Sequence, residues 1–162
     1  MKAVIQRVSR ARVLVGPEEV GAIAAGMLVL VCVLRGDGEG ESRRLAEKIA
    51  RFRFFADAEE RMNLSALDLG RAALVISQFT LAADGKRGRR PSFDRAAPPE
   101  EAERLYEHFV GELRALGLVV ATGRFGARME VEIVNDGPVT FVIEEAPRGA
   151  HGAGPPPPQV LT

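Results

Sequence analysis

Two short stretches carry the residue types that could do chemistry. "SQFTL", Ser77–Leu81, puts two hydroxyls and a carboxamide at the end of an apolar run, where the chain leaves a core. Ser77 or Thr80 could act as a nucleophile, but only with a base beside it. The plain alternative is a strand end whose Ser and Thr satisfy loose backbone groups. "NDGPVT", Asn135–Thr140, sets Gly137–Pro138 between two segments of alternating hydrophobicity. Proline cannot donate to a ladder and glycine weakens one, so the pair reads as a deliberate break or as a tight hairpin turn. The rest of the inventory is sparse. The two histidines are His108, on the polar side of a helical stripe, and His151, in the terminal tail. The single cysteine, Cys32, lies in an apolar run and reads as a buried, inert thiol. No Cys-x-x-Cys or His-x-x-x-His spacing suggests a metal. "GDGEG" lacks the Lys-Ser/Thr of a phosphate cradle. An enzyme built on this chain is expected to work without imidazole, metal or bound cofactor.

The elements that must position these stretches follow from periodicity. Lys2–Val8, Arg12–Val15 and Val20–Ile23 alternate as a meander. Met27–Leu34 is wholly apolar, as a central strand buried on both faces is. Arg35–Ser42 is a glycine-rich loop, with Ser42 a candidate cap for a helix carrying Leu45, Ile49 and Phe52 on one face. Ala72–Phe79 is a further apolar strand, and Thr80–Ala97 a long loop. Pro98-Pro99-Glu100-Glu101 opens a second helix with the stripe Ala102, Leu105, Tyr106, Phe109, Leu113 and Leu116, stopped by Gly117. Leu118–Ala121, Met129–Val134 and Val139–Ile143 complete seven or eight strands. The expected class is α+β, mainly antiparallel sheets in a barrel-like or layered sandwich with two main helices. Residues 1–145 form one domain, and 146–162 read as a flexible Pro/Gly-rich tail.

Totals exclude little. With 162 residues, one domain needs no disulfide or metal staple. No apolar run reaches membrane-span length and the N-terminus enters alternating structure at once, so the expected location is the cytoplasm, with no membrane partner. Lys plus Arg equals Asp plus Glu, 22 against 22, so net charge argues for no polyanion. The local cluster Lys86, Arg87, Arg89 and Arg90 still fits phosphate contacts, though a solvated face is the ordinary explanation.

"SQFTL" and "NDGPVT" taken together resemble the signature pair of the D-aminoacyl-tRNA deacylases. The likeness extends to "IQRV" (Ile5–Val8), "RMNL" (Arg61–Leu64), "RPSF" (Arg90–Phe93) and "TGRF" (Thr122–Phe125), in order, over about residues 1–145. The resemblance implies a homodimer that hydrolyses the ester between a D-amino acid and the terminal adenosine of tRNA. It implies a cis Gly137–Pro138 peptide inserted into the partner's pocket, with carbonyls, flanked by Val139 and Thr140, that fix the substrate ammonium. Arg7 would brace that loop. Ser77, Gln78, Phe79 and Thr80 would form the catalytic wall, with the amides near Phe79 and Thr80 as oxyanion donors and the ribose 2′-hydroxyl assisting. Phe125 and Met129 would close the pocket floor. The plain alternatives are surface charge for Arg7 and core packing for Phe79, Phe125 and Met129. A D-side chain would point to solvent and an L-side chain into rigid backbone, so glycyl-tRNA should also be cleaved. Two other classes stay open on residues alone: a non-catalytic RNA-binding module, and a small esterase using Ser77 or Thr80.

Overall fold

The computed structural model describes residues 1–85 and 89–147. Eight strands, two α-helices and one 3-10 turn follow in the order β1 (Lys2–Val15), β2 (Glu18–Ile23), β3 (Gly26–Cys32), α1 (Glu39–Arg51), β4 (Phe55–Ala56), β5 (Met62–Leu64), β6 (Ala72–Ser77), the turn Phe79–Ala82, α2 (Pro99–Ala115), β7 (Val120–Thr122) and β8 (Glu130–Glu144). The main sheet runs β2-β1-β3-β6-β7, with β8 also on β1. Ala3 faces both Val31 and Ile143, and Ala11 faces both Ile23 and Ile133. So β2 and β3 share one edge of β1, and β8 takes the other.

The sheet curls until its ends nearly meet. A Cβ on Gly21 of β2 would stand 2.5 Å from the Thr122 carbonyl of β7, so only a residue without Cβ lets the two edges approach this closely. The α+β class with a barrel-like sheet is therefore as expected. Pairing is antiparallel around β1 but parallel for β3–β6 and β6–β7. These parallel pairs follow from the two helices: each carries the chain back across the sheet before the next strand begins.

The curl separates two cores. Val8, Val13, Leu28, Leu74 and Ile76 fill its inside. Met27, Val29 and Val31 point outward, against Leu45 and Ile49 of α1 and Leu105 and Phe109 of α2. Alternate residues of β3 thus serve opposite cores, which explains its unbroken apolar run. Phe109 is fully buried, worth roughly 1.5–3 kcal/mol of transfer free energy.

Three boundaries differ from the sequence reading. The N-terminal alternation is one continuous strand, not two. Ser42 is no cap: α1 is capped earlier, at Gly38, whose amide donates to the Glu41 carboxylate at 2.8 Å. Ser42 is instead buried, its hydroxyl 2.9 Å from Nδ1 of His108. The third concerns "NDGP". Met129–Val134 and Val139–Ile143 are not two strands of a hairpin, because both arms of β8 pair with the same strand, β1. The register passes from Val8↔Asn135 to Gln6↔Thr140. One residue of β1, Arg7, therefore stands opposite four of β8, Asp136–Val139, and these four bulge out of the ladder.

Candidate functional site

The strand end that carries "SQFTL" is set by its neighbour. Gln78 N–H donates to the Val31 carbonyl at 2.8 Å, the last backbone bond that ties this segment to β3. The chain then tightens into the 3-10 turn, with Leu81 N–H on Gln78 O at 3.2 Å and Ala83 N–H on Thr80 O at 3.0 Å. The amides of Phe79 and Thr80 open that turn, where no preceding carbonyl of the turn can take them.

Beside this strand end lies an apolar cavity of about 480 Å³. Ile76, Ser77, Gln78 and Phe79 form one wall. Ala96, Ala97, Pro99 and Ala102, leading into and through the first turn of α2, form a second. Phe125, Gly126, Ala127 and Met129, between β7 and β8, close the third. The volume falls in the range of small-molecule sites, and the lining is apolar with a few convergent polar groups, as such sites are. Phe79 is not core: it is 56% exposed at the rim, its ring edge-on to Phe93 with centroids 5.1 Å apart. That contact joins "RPSF" to "SQFTL". Phe125 packs against Tyr106, centroids 6.0 Å apart. Burial pushes the Tyr106 phenol up to about 12, and its hydroxyl donates to the Val75 carbonyl at 2.9 Å.

Thr80 is exposed and does not line the cavity. Its hydroxyl accepts from the Gln78 carboxamide at 2.6 Å. An amide N–H is a donor and cannot take the threonine proton, so this pair is not a nucleophile with its base. His108 sits between α1 and α2, against Ser42 and Glu112, and lines no part of the cavity. The Cys32 thiol is buried, and burial pushes its pKa up. Among the described residues no group of three His, Cys, Asp or Glu could hold a metal.

The bulge forms a second, separate feature. Gly137–Pro138 is a cis peptide bond, and both residues are exposed. Asn135 holds the far side of the bulge: Val139 N–H donates to Asn135 Oδ1 at 3.0 Å, and Asn135 Nδ2 donates to Val139 O at 3.3 Å. Arg7 holds it from below. Its Nε donates to Asp136 O at 3.0 Å and its NH1 to Phe54 O at 2.9 Å. Thr140 accepts from Gln6 Nε2 at 3.1 Å, and Val139 is buried. Gly137 has φ +151°, and a Cβ there would meet the Val139 nitrogen at 2.5 Å.

Within one chain the structure thus brings Ser77, Gln78, Phe79, Phe125 and Met129 to one cavity. It gathers Arg7, Gly137, Pro138, Val139 and Thr140 elsewhere: none of these lines that cavity. Arg89 and Arg90 are exposed, whereas Lys86 and Arg87 lie outside the described residues, as does the tail beyond Pro147. The sequence reading missed the alanine wall, Ala96, Ala97 and Ala102. Its one signal was the Ala-Ala pair directly before the proline helix start, where small residues leave room.

Fold and cavity together define a pocket protein whose polar wall is main chain, amide and hydroxyl, with no imidazole or thiolate. The chain belongs to the D-Tyr-tRNA(Tyr) deacylase family, a family of hydrolases, whose model matches residues 4–144. It is 59% identical over 155 residues to a D-aminoacyl-tRNA deacylase of Roseiflexus sp. (strain RS-1), covering 93% of this chain and 100% of that one. A D-aminoacyl-tRNA deacylase of Ruegeria pomeroyi is also 59% identical, over 144 residues, 89% of this chain and 99% of that one. Among solved structures, a c-Myc DNA unwinding element binding protein superposes with a TM-score of 0.86 at 39% identity, over 91% of this chain and 100% of that chain. No helix among the described residues is long and apolar enough to cross a membrane.

Proposed function

We propose that this chain hydrolyses the ester joining a D-amino acid to the terminal adenosine of tRNA, and that it does so as a homodimer. The observation that carries the reading is the separation just described. Gly137–Pro138 is braced and exposed, and it stands outside the lining of an apolar cavity with a polar end. A projection and a recess on the same chain, each without its counterpart, fit a two-fold pair in which each fills the other's site.

In that pair the cavity takes the terminal nucleoside, and the ester lies at the Ser77–Thr80 strand end. The carbonyls of Gly137 and Pro138 from the partner subunit receive the substrate ammonium. The side chain of a D-residue then leaves toward solvent, while that of an L-residue meets rigid main chain. Rejection on this basis reads configuration and ignores side-chain identity, so several D-amino acids and glycine are substrates. The ester carbonyl oxygen faces the amides of Phe79 and Thr80. One such donor is worth roughly 3–4 kcal/mol to a tetrahedral transition state. Water adds to the carbonyl carbon and gives a proton to the ribose 2′-oxygen, while the 2′-hydroxyl proton passes to the 3′-oxygen as its bond to the acyl carbon breaks. Gln78, which holds the Thr80 hydroxyl, orients this end of the site. Arg89, Arg90 and the neighbouring Lys86 and Arg87 contribute phosphate contacts.

The test is hydrolysis of matched D-, L- and glycyl-tRNA by the purified protein. Cleavage of the D- and glycyl-esters with the L-ester spared is the expected result. Comparable cleavage of both enantiomers overturns the steric reading. Binding without turnover would make the chain an RNA-binding module instead. A substrate ending in 2′-deoxyadenosine should be nearly inert, and normal turnover of it removes the ribose hydroxyl from the mechanism.

A further inference from the structure

Gly123 lies between β7 and the cavity wall. Its amide donates to the Val75 carbonyl at 3.2 Å, continuing the line of β7 along β6. Its φ lies outside the left-handed region, so an alanine there would not be strained by conformation. Space is a different matter. A Cβ on Gly123 would stand 2.6 Å from the sulfur of Met129, and 3.6 Å from both Met129 Cε and Ile76 Cγ1. Met129 and Ile76 both line the cavity. The missing Cβ is thus the space into which a cavity-wall side chain leans back.

We infer that Gly123 is a positioning residue for the nucleoside end: it sets the depth of the cavity by giving the Met129 thioether room behind the wall. The direction of the effect follows from packing. An ordinary carbon contact is about 3.5–4.0 Å, so a Cβ at Gly123 asks the sulfur to retreat by about 1 Å. Met129 packs on the inner core that holds Leu74 and Ile76, which is close-packed. The remaining side is the cavity. Met129 has an unbranched, flexible side chain, so it yields where backbone would not. A single added methyl therefore moves the floor inward without touching the polar strand end. The part of the substrate it would crowd is the nucleoside end.

This inference rests on the reading of the cavity as the nucleoside pocket, and the experiment separates the two. Gly123→Ala, Met129→Ala and the double variant are compared in D-aminoacyl-tRNA hydrolysis and by NMR of labelled methionine methyls. The chain has four methionines, so the Met129 signal is readily assigned by substitution. Gly123→Ala should shift the Met129 methyl and lower kcat/KM about tenfold, chiefly through KM. The double variant should match Met129→Ala alone, because the clash is gone. An unmoved Met129 methyl overturns the packing claim. A moved methyl with unchanged kinetics overturns the inference too, and locates the failure in the assignment of the cavity. A loss that the second substitution does not relieve assigns the effect to the backbone of β7 and overturns it as well.

Discussion

The strand end at Ser77–Thr80 and the bulge at Asp136–Val139 are built on opposite plans. The first is concave and mostly apolar, and small residues give it its shape: Ala96, Ala97 and Gly126 line it, and Gly123 backs it. The second is convex and exposed, and polar bonds hold it in place: Arg7 to Asp136, and Asn135 to Val139 in both directions. A recess can be left adaptable, since a ligand fills it. A projection has no ligand behind it and must be stiffened from its own scaffold before binding. On the proposed function, the contrast would put discrimination on the rigid feature and accommodation on the soft one.

The contrast can be broken most sharply by mixing subunits. Gly137→Ala places a Cβ at 2.5 Å from its own Val139 nitrogen and should cost up to about a hundredfold in kcat/KM, since strain of ~1–3 kcal/mol must be relieved by moving the carbonyls. Phe79→Ala disables the cavity rim in a different way. If each site joins one chain's cavity to the other's bulge, re-equilibrated mixtures of the two variants should recover about a quarter of the wild-type sites. Mixtures no better than their components would place both features in one chain. Next in size, Arg7→Ala removes two charge-assisted bonds and should lower kcat/KM about ten- to a hundredfold, at ~1.5–3 kcal/mol per bond at most. A circular-dichroism melt should show the fold retained; equal losses in melting and turnover would make Arg7 merely structural.

Thr80→Ala should keep turnover within about threefold, because no base faces its hydroxyl. Total loss with tRNA binding intact would instead make Thr80 the nucleophile. The smallest effect belongs behind the cavity. Tyr106→Phe loses one buried bond to Val75, worth about 1 kcal/mol, with little change in activity. It also carries a pH signature. The folded phenol titrates at about 12, above its ordinary value of 10.0, so its contribution is full below pH 10. As pH rises from 10 to 12 the unfolded chain loses this proton first, and stability falls. Melting curves of Tyr106→Phe should be flatter than wild type across that window. Parallel curves would assign the alkaline loss to other groups.

How much of this was legible depended on which interaction fixed each element. The apolar run of β3 and the stripe of α2 were read directly, because burial alone determines them. "NDGP" left a deliberate break and a hairpin turn both open, since Gly-Pro in sequence fits either. Only the long-range pairing of both β8 arms to β1 shows that the chain continues straight on. Ser42 misled: a good capping residue lost to Glu41, whose carboxylate reaches the Gly38 amide first. The parallel pairs of β6 depend on where the helices return the chain, which no local pattern encodes. At the site, polar residues were found by type. The alanine and glycine walls were not, because empty space leaves no residue signature.

The bulge has one more consequence, on the side of β8 away from β1. Among the described residues that side has no strand partner, and it runs for fifteen residues. A flat, open border of that length, bearing exposed Ile133, Val134 and Val142, would template the addition of foreign strands. Asp136–Val139 breaks it into two short lengths. Trimming the four residues to regularise the ladder would therefore give a protein that folds and then precipitates.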